Sequence, residues 1–173
     1  MYKLFVPAQA VGANLVYFDL FNASGSATNL IVESVIPIVS GATAVTGVVA
    51  VDLFLTRTSA IGTGGTAATT EGTSLTACTI SALSHIQPIP GQVTARLTPS
   101  GGATAGAVLS WRSVFTEETN AGTYVQVVDM ARGLFSNIPG IRVGEGTGLR
   151  IVQGSVASVG NIGFEVFFRR ERP

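Results

Sequence analysis

His85 and Cys78 come first among residues that could do chemistry, because the chain has one histidine and one cysteine. A nucleophile–base–acid triad would need His85 as its base. It sits in Ser84-His85-Ile86-Gln87-Pro88, which has no nucleophile elbow, and so reads as a surface or loop histidine. Cys78 has no second cysteine to pair with and reads as a small buried hydrophobe. One His and one Cys cannot ligate zinc. The carboxylates are scattered apart from Glu117-Glu118, which precedes Thr119-Asn120-Ala121-Gly122 and reads as a solvated hairpin tip. Gly62-Thr-Gly-Gly65 lacks the Lys-Ser/Thr of a phosphate loop, and Gly144-Glu-Gly-Thr-Gly148 leads into a strand rather than a helix. Both read as turns where φ must be positive. Trp111, Tyr2, Tyr17 and Tyr124 are too scattered for a sugar platform and suit core or interface packing. The expectation is a non-enzyme with no catalytic, cofactor-binding or metal-ligating residue.

The elements that would have to position any site are strands. Leu15–Asn22 alternates, with Val16, Phe18 and Leu20 on one face and Leu15, Tyr17, Asp19 and Phe21 on the other. Asn22-Ala-Ser-Gly-Ser26 closes it with turn residues; Asn22-Ala23-Ser24 also fits a glycosylation triplet, a pattern common by chance. Leu30–Val39 and Val45–Arg57 give two further strands. In the latter, Val49, Val51, Leu53 and Leu55 share a face, while Phe54 opposite is apolar too, so cover on both faces is expected. Strands are also predicted at Val93–Leu97, Val108–Phe115, Tyr124–Met130, Leu149–Gln153 and Ile162–Phe168. Cys78–Ile89 reads as the one helix. Ser59–Thr76 and Pro99–Gly106 read as surface loops, too poor in large apolar residues to build a core. Short strands separated by Gly-rich turns predict an all-β antiparallel sandwich, jelly-roll-like, with long Gly/Thr-rich loops.

Composition limits the function classes. Hydrophobic residues make up 46% and charged residues 12% of the 173, and ten Lys/Arg cancel ten Asp/Glu. Globular domains average about 25% charged residues. A free monomer with so little like-charge repulsion would be poorly soluble, so burial against other protein is expected. The neutral balance speaks against nucleic acid, and Arg169-Arg170-Glu171-Arg172 is a weak basic footprint. The apolar run Leu4-Phe5-Val6 is too short for a leader and is interrupted by Pro7. Ser34–Val51 is uncharged and near the length of a membrane span, but Pro37, Ser40, Gly41, Thr43, Thr46 and Gly47 break it, so no membrane role is expected.

Several short motifs run in a familiar order. Asn22–Ser26 precedes an alternating strand, followed by Thr43-Ala-Val-Thr-Gly47, Arg57-Thr58 and Gly62-Thr-Gly-Gly-Thr66. Later come Phe115 with Glu117-Glu118, Ile141 with Gly144-Glu-Gly-Thr-Gly-Leu149, and a closing Gly163-Phe-Glu-Val-Phe167. The pattern, spread over Ala13–Phe168, resembles small virion structural proteins of tailed bacteriophages, of the head-decoration or cement kind; residues 77–92 depart from it. The resemblance implies a β-sandwich on the capsid exterior that binds the major capsid protein and copies of itself, with a trimer favoured. It carries no catalytic residue. The organisation expected is an extended N-terminal arm over 1–13, a single sandwich over 14–168 and a basic tail over 169–173, with the arm, the tail and the two loops as contact elements. Two alternatives stand beside it: a single jelly-roll capsid shell protein, and a glycan-binding spike or fibre head module.

Overall fold

The computed structural model describes residues 1–40, 49–84, 91–101, 105–116, 128–132 and 140–171. The protein is all-β. Its strands are β1 (Tyr2–Ala10), β2 (Val16–Asn22), β3 (Asn29–Ser40), β4 (Val49–Thr58), β5 (Thr66–Ala67), β6 (Thr69–Thr70), β7 (Thr79–Ala82), β8 (Val93–Leu97), β9 (Ala105–Thr116), β10 (Ile141–Val143), β11 (Thr147–Gln153) and β12 (Asn161–Glu171). They form two six-stranded sheets, β10-β3-β12-β1-β7-β6 and β5-β8-β2-β11-β4-β9, packed face to face as a β-sandwich. All pairings are antiparallel except β6 with β7.

The pairing has a simple logic. Setting β5 to β8 aside, the first strand pairs with the last (β1–β12), the second with the second last (β2–β11), then β3 with β10 and β4 with β9. The chain is one long hairpin, rolled so that successive strands alternate between sheets. β5 to β8 are an insertion between β4 and β9, and they widen both sheets on one flank.

Alternation in the sequence selects the faces. Leu20 pairs with Leu149 and Phe18 with Ile151, and all four point into the core. Phe164 of β12 reaches across to the edges of Tyr17 and Phe18, with ring centroids 5.1 and 5.5 Å away. Each such fully buried side chain contributes about 1.5–3 kcal/mol of hydrophobic stabilisation. Val51, Leu53 and Leu55 of β4 are buried as well.

Several segments depart from expectation. Over Cys78–Ile89 no helix forms in the described part: Thr79–Ala82 is β7, paired with β1 from Tyr2↔Ala82 to Phe5↔Thr79, and residues 85–90 lie outside the described residues. Long-range pairing with β1, which inserts Cys78 and Ile80 into the core, overrides a weak local helix preference. In Tyr124–Met130, residues 124–127 lie outside the described residues, and 128–130 form no strand. There Asp129 accepts bonds from the amides of Val35, Ala131 and Arg132, which fixes a bend. Residues 1–13, expected as an arm, supply β1, seated between β12 and β7 with Tyr2, Leu4 and Val6 buried. The expected tail is strand through Glu171, and Arg169 is tied to Glu33 at 2.7 Å. Ser59–Thr76 is not structureless: it carries β5 and β6.

Candidate interaction surface

β9 is the edge of its sheet, paired with β4 alone among the described strands. Its register places Trp111 opposite Phe54, Ser113 opposite Asp52, Arg112 opposite Leu53 and Ser110 opposite Leu55. Leu53 and Leu55 face the core, so Arg112 and Ser110 lie on the inner side and Trp111 and Ser113 on the outer. Between Leu109 and Arg112 this inverts the usual pattern, with Ser110 and Arg112 inward and Trp111 outward, whereas Val114 further along is buried opposite Val51. Val108 is 59% exposed and Trp111 57%, with Leu109 and Phe115 also exposed. Phe54 stacks on Trp111 with centroids 6.1 Å apart and planes 8° from parallel. Below this pair, Ser113 donates to Asp52. Contiguous exposed apolar area of this kind marks contact sites, and an unpaired edge strand is a template for another chain.

Across the open flank, β9 and β10 bound a cleft of about 670 Å³ lined by Arg57, Ser110, Trp111, Arg112, Met130 and Arg142, among others. Arg57 leaves β4 at a bulge and reaches over to donate to the carbonyl of Arg142 at 2.9 Å, bridging the two sheets. Arg112 donates to the carbonyl of Trp111 at 2.7 Å. Among the described residues, none of these three arginines has a carboxylate partner. Ser110 Oγ is buried with no hydrogen-bond partner.

A second cleft, of about 460 Å³, runs beside Thr98–Gly101 over Arg150. Its charge is already used. Arg150 is ion-paired with the fully buried Asp19 at 3.0 Å, and Asp19 also accepts the amide of Gly62 at 2.7 Å. The Gly62–Gly65 turn is thereby pinned to the outer face of the β2/β11 pair, its Gly62 amide committed to a carboxylate of the chain itself. Gly146, at φ 65°, makes the β10–β11 turn, as read from sequence.

The other chemistry-bearing residues disperse. His85, Glu117, Glu118 and Tyr124 lie outside the described residues. Cys78 is buried, and burial pushes its thiol up to about 12. Burial also raises the Tyr17 phenol, which donates to Gln153 Oε1 at 2.7 Å. Tyr2 and Tyr17 are core residues, which leaves Trp111 as the exposed one of the described aromatics considered for sugar stacking. Asn22 is fully buried and donates to the carbonyl of Thr28 at 2.8 Å, so it is closed to glycosylation in the folded chain. Among the described residues no group of three His, Cys, Asp or Glu side chains converges, and no helix is long and apolar enough to cross a membrane.

In sequence, Val108–Phe115 reads as an ordinary strand. The alternation carries part of the signal: Leu109, Trp111 and Phe115 share one face with Ser113, and Ser110 and Arg112 share the other with Val108 and Val114. The arginine grouping had no such signal, since Arg57, Arg112 and Arg142 are brought together only by folding.

The chain matches no protein-family model, no curated protein and no solved structure.

Proposed function

We propose that this protein is a virion structural subunit, a decoration or cement protein that stabilises a capsid from outside by burying its open flank against shell proteins. The observation that carries the reading is β9, an edge strand with Val108, Leu109, Trp111 and Phe115 exposed. The first-with-last strand pairing supports a jelly-roll description, an architecture shared by viral capsid and lectin domains. Its mechanism is mechanical. Each contact removes apolar area from water at roughly 25 cal/mol per Å², and a specific interface needs about 1,600 Å² in all. Repeated contacts on one shell add avidity, because the second is effectively intramolecular. The partners are the major capsid protein and further copies of this chain, with a closed trimer as the favoured ring.

The same strand pairing favours a second reading, a single jelly-roll shell tile. Fractionating the native source tests both. Co-sedimentation with assembled particles at a fixed ratio supports the proposal, and recovery wholly as free protein overturns it. Shells that stay intact when the chain is removed identify cement; shells that fall apart identify a tile. Light scattering checks the self-association, and a monodisperse monomer at high concentration would remove the trimer.

A further inference from the structure

Resting on the structural-subunit reading, we propose that the cleft between β9 and β10 receives an extended acidic segment of the partner protein. Its backbone would pair along β9, and its carboxylates would lie on Arg57, Arg112 and Arg142.

Four observations converge. First, the three arginines line one cleft and lack carboxylate partners among the described residues, although Asp19, Glu33, Asp129 and Glu165 all have basic ones. In a chain of zero formal net charge, this is a local positive excess. Guanidinium groups match carboxylates with paired N–H donors, which gives orientation as well as attraction. Second, Ser110 lines the same cleft, and its Oγ is buried and unpartnered among the described residues. An unmade hydrogen bond of this kind is unfavourable, and a carboxylate oxygen would accept it. Third, β9 has no second strand neighbour among the described residues, so an incoming strand can be added beside Val108–Arg112. Fourth, Leu109, Trp111, Met130 and Ile141 line the cleft between and around the charges, so the segment would alternate acidic and apolar residues.

Charge also selects against a second copy of β9. Antiparallel pairing of two such edges would set one Arg112 rim against the other, and facing like charges destabilise a strand pair. The occupant is therefore a different, acidic chain.

Trp111 is the only tryptophan, so its fluorescence reports on this cleft alone. The probe is a synthetic alternating Glu–Val peptide about eight residues long, a strand's length. It should shift the emission saturably, and added salt should weaken it. The Lys–Val counterpart should leave the emission unchanged. Arg142→Glu, at an exposed position, should weaken the Glu–Val peptide about tenfold or more with the melting temperature preserved. Arg112→Gln should weaken it to a smaller extent. Equal response to both peptides, or undiminished binding by Arg142→Glu, overturns the proposal. So does sodium phosphate producing the full response alone, which would make the cleft a small-anion site. Particle co-sedimentation is read without any peptide, so a failed titration and a failed structural role are separate results.

Discussion

The sandwich has two flanks, and they are finished differently. On one, the insertion between β4 and β9 adds β7 and β6 to the first sheet and β8 and β5 to the second. The chain then crosses between sheets at Ala68: its amide bonds to Ala95, and the next amide, from Thr69, bonds to Cys78. The accompanying turn buries the Asp19–Arg150 pair. On the other flank, β9 and β10 face each other across a cleft, with arginines that have no carboxylate partner among the described residues and an exposed Trp111. The Gly/Thr-rich stretch Ser59–Thr76 looks in sequence like a free contact arm. In the structure its backbone is committed to closing its own molecule. The difference teaches that low complexity here goes with backbone pairing inside the chain, whereas the exposed large apolar side chains gather on β9.

The largest effect should come from breaking the closed flank's ion pair. Asp19→Ala leaves Arg150 buried without its partner and Gly62 without its acceptor, and should cost about 3–5 kcal/mol in urea unfolding. Lys3→Ala, which breaks a partly exposed pair with Glu165, should cost at most about 1 kcal/mol. Equal costs would mean that the turn is not what secures this flank. Next comes Gly65→Ala. Gly65 has φ 60°, and an added Cβ would collide with the carbonyl oxygen of Leu97 and lie 2.6 Å from that of Thr98. A loss of about 3 kcal/mol is expected. Gly91→Ala meets nothing within 4 Å and should be near neutral.

The strands flanking these sites were legible because alternating Val, Ile, Leu and Phe leave little choice of face. Val16–Asn22, Val93–Leu97 and Thr147–Gln153 fall within a residue or two of their sequence-read limits. Residues 2–10, 66–70 and 79–82 were not legible as strands. Residues 2–10, 66–67 and 79–82 are held by partners far along the chain, as in Tyr2↔Phe168, Thr66↔Leu97 and Tyr2↔Ala82, and local composition carries no record of such pairing. The candidate surface divides in the same way. The shared face of Leu109, Trp111 and Phe115 on β9 is written in its own alternation, whereas the grouping of Arg57, Arg112 and Arg142 depends on the rolled topology.

Cys78 gives a pH handle on the closed flank, since its carbonyl accepts the Thr69 amide beside the crossing. Its thiol ionises near the ordinary 9.0 when unfolded and near about 12 when folded. Between those values the unfolded chain has lost the proton and the folded chain keeps it, so stability falls as pH rises. Below 9.0 the contribution is fully present. Each pH unit in the window removes up to about 1.4 kcal/mol. Denaturant midpoints measured from neutral to alkaline pH should fall, and Cys78→Ala should flatten part of that slope; an unchanged slope would show that the thiol is not shielded. The Tyr17 phenol, also raised by burial, acts in the same direction at higher pH.

The open flank should matter less to stability than the buried ion pair or the Gly65 turn, and it tests the comparison most directly. Trp111 is more than half exposed and its intramolecular aromatic contact is the offset stack on Phe54. Such pairs contribute about 0.5–1.5 kcal/mol beyond area burial, so the stacking part of the cost of Trp111→Ala in the isolated protein should be no more than about 1.5 kcal/mol. A double-mutant cycle with Phe54→Ala should return a coupling of the same size, since the two rings touch. Particle association should respond far more, because a buried tryptophan at the centre of an interface is among the residues whose truncation costs about 2 kcal/mol or more of binding. The ratio of the two losses is the informative quantity. A large loss of folding stability with unchanged association would make β9 part of the core's own support, and the two flanks would then differ only in sequence, not in purpose.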